Sequence, residues 1–108
     1  MAKTTIEKEI IDSVQKYRKV IEDSGISVDK MIIFGSRAKG NSTSRSDIDV
    51  AVVSKEFGLD DVDEMQNLWK KTRFADNRIE PYPLSIHEYE HGFSPIVSEI
   101  RKYGILVV

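Results

Sequence analysis

No cysteine occurs anywhere in the chain, which removes disulfides, thiol nucleophiles and thiolate metal sites together. Histidine is nearly as scarce: His87 and His91 are the two present, four apart with no third ligand evident, and they read as surface residues rather than a metal pair. Charge of neither sign dominates. Lys+Arg 16 against Asp+Glu 18 leaves a net charge of -2 and a pI of about 5.7, which argues against an extended nucleic-acid surface but permits one phosphate-bearing ligand. Long apolar runs are missing too, since none approaches the roughly 18 residues of a membrane span. The opening MAKTTIEKEI holds no apolar core of signal-peptide length. A soluble, cytoplasmic protein without a membrane partner is therefore expected.

No repeat, linker or low-complexity tract interrupts the 108 residues, and the expectation is one domain, 1–108. From Thr5 to Ser24, Ile6, Ile10, Val14, Tyr17 and Ile21 recur every three or four positions, the mark of an amphipathic helix. Val28 to Phe34 and Ser46 to Val53 contain consecutive apolar residues too short for helices and read as buried strands. Between them, Ser36 to Lys39 could turn once as a helix before Gly40, and Asn41 to Ser46 is a polar loop. Asp60 to Arg73 has acids at its start and bases at its end, the order that suits a helix dipole, and Val62, Met65, Leu68 and Trp69 are expected to share its face. Pro81 and Pro83 confine the extended piece Arg78 to Ser85 to an edge strand or a strand end. Ile86 to His91 reads as a short helical turn, Ser94-Pro95 starts a helix to about Tyr103, and Ile105 to Val108 closes as a strand. These elements predict an α/β (α+β) domain, a small mixed sheet with helices packed mainly on one face.

The stretch Met31 to Val53 carries the chemistry. An apolar run ends in Gly35-Ser36, and Asp47-Ile48-Asp49 opens the second run. Residues two apart on a strand face one side, so Asp47 and Asp49 project together. At ~5 Å in an effective dielectric near 20 their repulsion is roughly 3 kcal/mol, more than offset by a divalent cation. Oxygen ligands alone favour magnesium or manganese over zinc. By itself an Asp-x-Asp at a strand start is more often turn capping. The pairing with Gly35-Ser36 changes that reading, because glycine lets backbone approach an anion and the Ser36 hydroxyl and N–H can donate to phosphate oxygens.

The sequence GSRAKGNSTSRSDIDVAVV resembles the signature of the DNA polymerase beta superfamily, and in particular its minimal nucleotidyltransferases, whose single domains are of about this size. The resemblance implies the nucleotidyltransferase fold, with Gly35 and Ser36, helped by Arg37, on the triphosphate and Asp47 and Asp49 binding two magnesium ions. It also calls for a third carboxylate on a neighbouring strand. Glu80 in RIEPYPLS is the first choice and Asp76 the fallback. The implied reaction moves a nucleoside monophosphate, AMP from ATP, to an acceptor hydroxyl and releases pyrophosphate, with Asp47, Asp49 and Glu80 as catalytic residues and metal ligands.

So short a chain lacks the helical lobe with which larger relatives grip base and acceptor. The resemblance implies that a HEPN-type helical partner completes the site in a toxin-antitoxin module, the partner being adenylylated. A contact-only antitoxin and a small-molecule, aminoglycoside-like transferase are the alternatives, and homodimerisation stays open. Trp69 is expected in the core or at an interface rather than as a base-stacking surface, and Tyr82 on the same side of its strand as Glu80.

Overall fold

The computed structural model describes residues 6–40, 42, 43 and 45–107. Thr5 and Val108, at the two ends of the expected elements, and Asn41 and Ser44 of the polar loop lie outside them. The first helix, α1 (Lys8–Asp23), buries Ile10, Val14, Tyr17 and Ile21 along the stripe that the periodicity predicts. Strand β1 (Lys30–Phe34) follows, then the single turn α2 (Ser36–Lys39), β2 (Ile48–Val53) and α3 (Asp61–Lys71). The chain ends through β3 (Ile79–Leu84), α4 (Ile86–His91), α5 (Pro95–Tyr103) and β4 (Ile105–Leu106). Local chemistry sets these bounds. Asp60 caps α3 by accepting from the Asp63 N–H at 3.0 Å, and Ser94 caps α5 with Pro95 in its first turn. Ser85 and Glu88 close α4 with a reciprocal capping box.

The four strands form one mixed sheet in the order β3-β2-β1-β4. Strand β1 pairs antiparallel with β2 and with β4, and β2 pairs parallel with β3. Proline-bearing β3 is an edge strand, as expected. Its parallel pairing requires a crossover, and α3 supplies it.

Alternation along the strands splits the core in two. Met31, Ile33, Ile48, Val50, Val52 and Ile79 pack with α1 and with Leu68 of α3. Ile32, Phe34, Ala51, Val53 and Leu84 pack with Val97 and Ile100 of α5. The two longest helices do share one face, but the expectation of cover mainly on one side understated the other. Strands that are apolar at every position bury both faces, so both need a lid. Among the described residues no helix is long and apolar enough to cross a membrane.

Two ties, one buried and one part-buried, lock the α1 face. The Tyr17 hydroxyl donates to the Leu68 carbonyl at 2.6 Å, joining α1 to α3, and burial pushes the phenol above its usual range. At the head of β3, Arg78 grips Asp76 through Nε at 3.1 Å and Nη2 at 2.7 Å, while Ser13 of α1 donates to the same carboxylate at 2.9 Å. The Arg78 hydrogen bond is the largest influence holding the Asp76 carboxyl down at about 2. A carboxyl whose folded value lies below its ordinary one stabilises the fold above about pH 4, and that stability drains away as the pH falls towards 2. Asp76→Asn should therefore lower stability at pH 7 by about 2 kcal/mol, with the gap to the unsubstituted protein closing between pH 4 and 2, as read from urea midpoints across that range.

Candidate active site

The site is one rung of the sheet. Phe34 at the end of β1 pairs with Asp49 of β2, and Asp49 pairs with Glu80 of β3. Gly35, directly after Phe34, turns the chain into α2 with a φ of 71°. That left-handed backbone favours glycine, and so does the space: a Cβ there would collide with Asp49 Oδ2 and lie 3.2 Å from its Cγ. The Asp49 carboxylate thus lies against bare backbone at the mouth of α2. Ser36 follows as the first residue of that turn, where N–H groups have no intrahelical acceptor. Asp47 stands just outside β2 and is exposed, whereas Asp49 is half-buried.

Asp49 is electrostatically unfavourable where it stands. Its carboxyl is pushed up to about 6, first by burial, then by Glu80 and by the negative charges of Asp47 and Glu99. Burial and like charge act in the same direction, against the charged form. Among the described residues no three His, Asp or Glu side chains already converge as a cation site. A pair of facing carboxylates with a third at the loop mouth, all oxygen donors, nonetheless fits a hard divalent cation.

The other expected site residues fall differently. Arg37 is only 5% exposed, and its Nη2 donates to the Ser46 carbonyl at 2.7 Å. It lines a small recess beside α1 with Ile6, Glu7, Ile10 and Ser42. The structure therefore does not bring it to the carboxylates; it braces the loop immediately before Asp47, where Ser46 also binds Thr43. Asp76, the fallback third carboxylate, is held by Arg78 and Ser13 on the α1 side.

The sequence reading overlooked Lys39 and Glu99. Lys39, on the turn that Gly35 opens, reaches Glu99 of α5 at 3.0 Å and lies over the Tyr103 ring. Its place in the small-residue run G-S-R-A-K-G was the available signal. For Glu99, far along the chain, there was none.

A cleft of about 550 Å³ opens from Asp49 and Glu80, walled by Met65, Trp69, Tyr82 and Ile96. Trp69, expected in the core or an interface, is 64% exposed, and Val62 is exposed with it. Leu68 alone of the expected apolar face is fully buried, with Met65 half-buried. At about 100° per residue, Val62, Met65 and Trp69 make one stripe roughly a quarter-turn away from Leu68. The helix thus shows one line to the core and another to the cleft. Tyr82 does face the side of Glu80, against the α5 cluster.

Two substitutions test this geometry. Gly35→Ala should displace Asp49 and twist α2, abolishing magnesium-dependent nucleotide binding measured by calorimetry while leaving a folded circular-dichroism spectrum. For Asp49, whose folded value is raised, the penalty is absent below about pH 4 and complete above about pH 6, so stability falls as the pH rises through that window. Half-exposed, the group is screened by water, and Asn in its place should stabilise the metal-free protein at pH 8 by about 1 kcal/mol, or ~4 °C in melting temperature. Added magnesium should raise the melting temperature of the unsubstituted protein and not that of the variant.

Comparison with known proteins gives the arrangement a family. The chain matches the sequence profile of the family described as polymerase beta, nucleotidyltransferase, over residues 8–108. No curated protein matches it. Among solved structures it is similar to a protein from Sulfolobus solfataricus described as a nucleotidyltransferase, at 24% identity and a TM-score of 0.56, covering 93% of this chain and 86% of that one. A toxin–antitoxin structure with AMP-PNP is similar at 20% identity and a TM-score of 0.63, covering 94% and 73%. So is a mutant of the toxin–antitoxin MntA–HpeT, with two aspartates two positions apart changed to glutamate, at 19% identity and a TM-score of 0.59, covering 87% and 71%. By a sequence match that runs from α1 to the last strand, the chain belongs to the polymerase beta nucleotidyltransferase family.

Proposed function

We propose that residues 1–108 act as one metal-dependent nucleotidyltransferase domain that moves AMP from ATP to a hydroxyl of a partner protein in a toxin–antitoxin pair. The observation that carries this reading is the rung that aligns the Gly35-Ser36 turn, Asp49 and Glu80 across three strands. The similar structures add support: two are toxin–antitoxin assemblies, one of them with AMP-PNP, and the paired aspartates altered in the other have the spacing of Asp47 and Asp49.

In this reading Gly35 and Ser36 hold the β- and γ-phosphates, and Lys39 leaves Glu99 to neutralise them. Asp47, Asp49 and Glu80 hold two magnesium ions. Bound magnesium supplies charge stabilisation at the transferred phosphoryl group. The acceptor oxygen forms a bond to the α-phosphorus as the bond to the bridging oxygen breaks, and pyrophosphate leaves. Glu80, exposed at the sheet edge, takes the hydroxyl proton and can pass it to solvent. Positioning carries much of the rate enhancement. Arg37 contributes by bracing the loop that presents Asp47. The acceptor is carried by a helical partner of HEPN type, which completes a site that this chain leaves open, in the cytoplasm.

A contact-only antitoxin is the alternative reading. Label transfer separates the two. With magnesium, α-labelled ATP and the partner encoded beside it, the protein should label that partner, and Asp47→Asn or Asp49→Asn should reduce labelling roughly a hundredfold or more. No label on the partner, together with full neutralisation of it by Asp47→Asn, would sink the enzymatic reading.

A further inference from the structure

The cleft beside the carboxylates has two unlike ends. Asp49 and Glu80 form one. Met65, Trp69, Tyr82 and Ile96 form the other, and the Trp69 indole is the largest aromatic surface there, beside the ring of Tyr82. An occupant matching both ends carries anionic groups joined to the carboxylates through a cation, and a flat, weakly polar ring several bonds away. A nucleotide has that shape. Trp69 is also conspicuous for what it does not do: 64% exposed, it contributes little to the core, which α3 reaches through Leu68. Exposure alone does not mark it, since Phe74 and Phe93 are exposed as well; Trp69 differs from them in lining the cleft.

Direction along the sheet supports the same occupant. The Gly35-Ser36 turn lies over the β1 side of Asp49, and Glu80 and the cleft lie over the β3 side. A triphosphate anchored on the turn has its α-phosphorus near Asp49, so its ribose and base run out past Asp49 towards α3. Trp69 and Met65 wait there.

We propose that Trp69 is the stacking platform for the donor's nucleobase, with Met65 and Tyr82 closing the sides of the slot, so that residues of this domain hold the base. The inference rests on the nucleotidyl-transfer reading and deepens it. A π-face reads rings without reading their edges, so the platform grips the base more than it selects it. Because Trp69 bears little of the core, its replacement should leave the fold intact.

Trp69 is the one tryptophan of the chain, so its fluorescence reports the site directly. Magnesium with AMP-PNP should quench it saturably, and magnesium with inorganic tripolyphosphate, which has no base, should bind without quenching. Trp69→Ala should weaken AMP-PNP binding about tenfold or more, the range of lost base–aromatic stacking, and leave tripolyphosphate binding unchanged; Trp69→Phe should recover most of the loss. AMP-PNP binding at full strength with no change in Trp69 emission, or equal affinity in Trp69→Ala, overturns the stacking assignment alone and hands the cleft to the acceptor. Failure of both AMP-PNP and tripolyphosphate to bind the unsubstituted protein overturns the nucleotidyl-transfer reading and the platform together.

Discussion

The register of β2 is the constraint from which the site follows. This strand runs antiparallel to β1 and parallel to β3, and its Asp49 is fixed opposite Phe34 on one side and Glu80 on the other. A slip of one residue would turn Asp49 into the α1 core and Ile48 and Val50 out of it. Those two side chains are fully buried, at roughly 1.5–3 kcal/mol each. Apolar packing on one face therefore holds the carboxylates in place on the other. The collision that any Cβ at Gly35 would have with Asp49 fixes the same alignment from the direction of β1.

Two aspartates show how differently one fold can treat a carboxylate. Asp76 is gripped by Arg78 and Ser13, its charge is stabilised, and it ties α1 to the head of β3. Asp49 is half-buried with Glu80, Asp47 and Glu99 acting on it, and its charge is disfavoured. The first arrangement strengthens the fold. The second weakens it, and such local conflict is characteristic of sites that await a ligand. The opposite shifts separate the structural acid from the functional candidate more clearly than position along the chain does.

The crossover from β2 to β3 has a second consequence. Parallel pairing obliges the chain to return over the sheet, and the helix that makes the return packs against the edge strand β3. With Leu68 pinned under Tyr17, rotation of α3 about its axis is no longer free. The Val62, Met65 and Trp69 stripe is then turned outwards, with Met65 and Trp69 forming the wall of the cleft. A minimal chain thereby furnishes an apolar wall beside its polar centre from a connection it needed in any case.

Much of this was legible in the sequence. Strand runs, the stripe of α1, the acids that open α3, the cap at Ser94, the edge position imposed by Pro81 and Pro83, and the Gly35-Ser36 and Asp47-x-Asp49 spacing are local signals, each written within a few residues of where it acts. Glu80 was singled out because the family resemblance calls for a third carboxylate on a neighbouring strand and Glu80 sits on the next extended segment; the register of β3 places it opposite Asp49. The sequence could not show that Arg37 is buried under its own loop, that Lys39 is drawn to Glu99, or that Trp69 faces a cleft. Each of these depends on which of two adjacent lines along a helix meets a partner, or on a residue from a distant element. A turn's difference of about 100° per residue separates core from site, and only the packing of α1, α3 and α5 against the two faces of the sheet decides it.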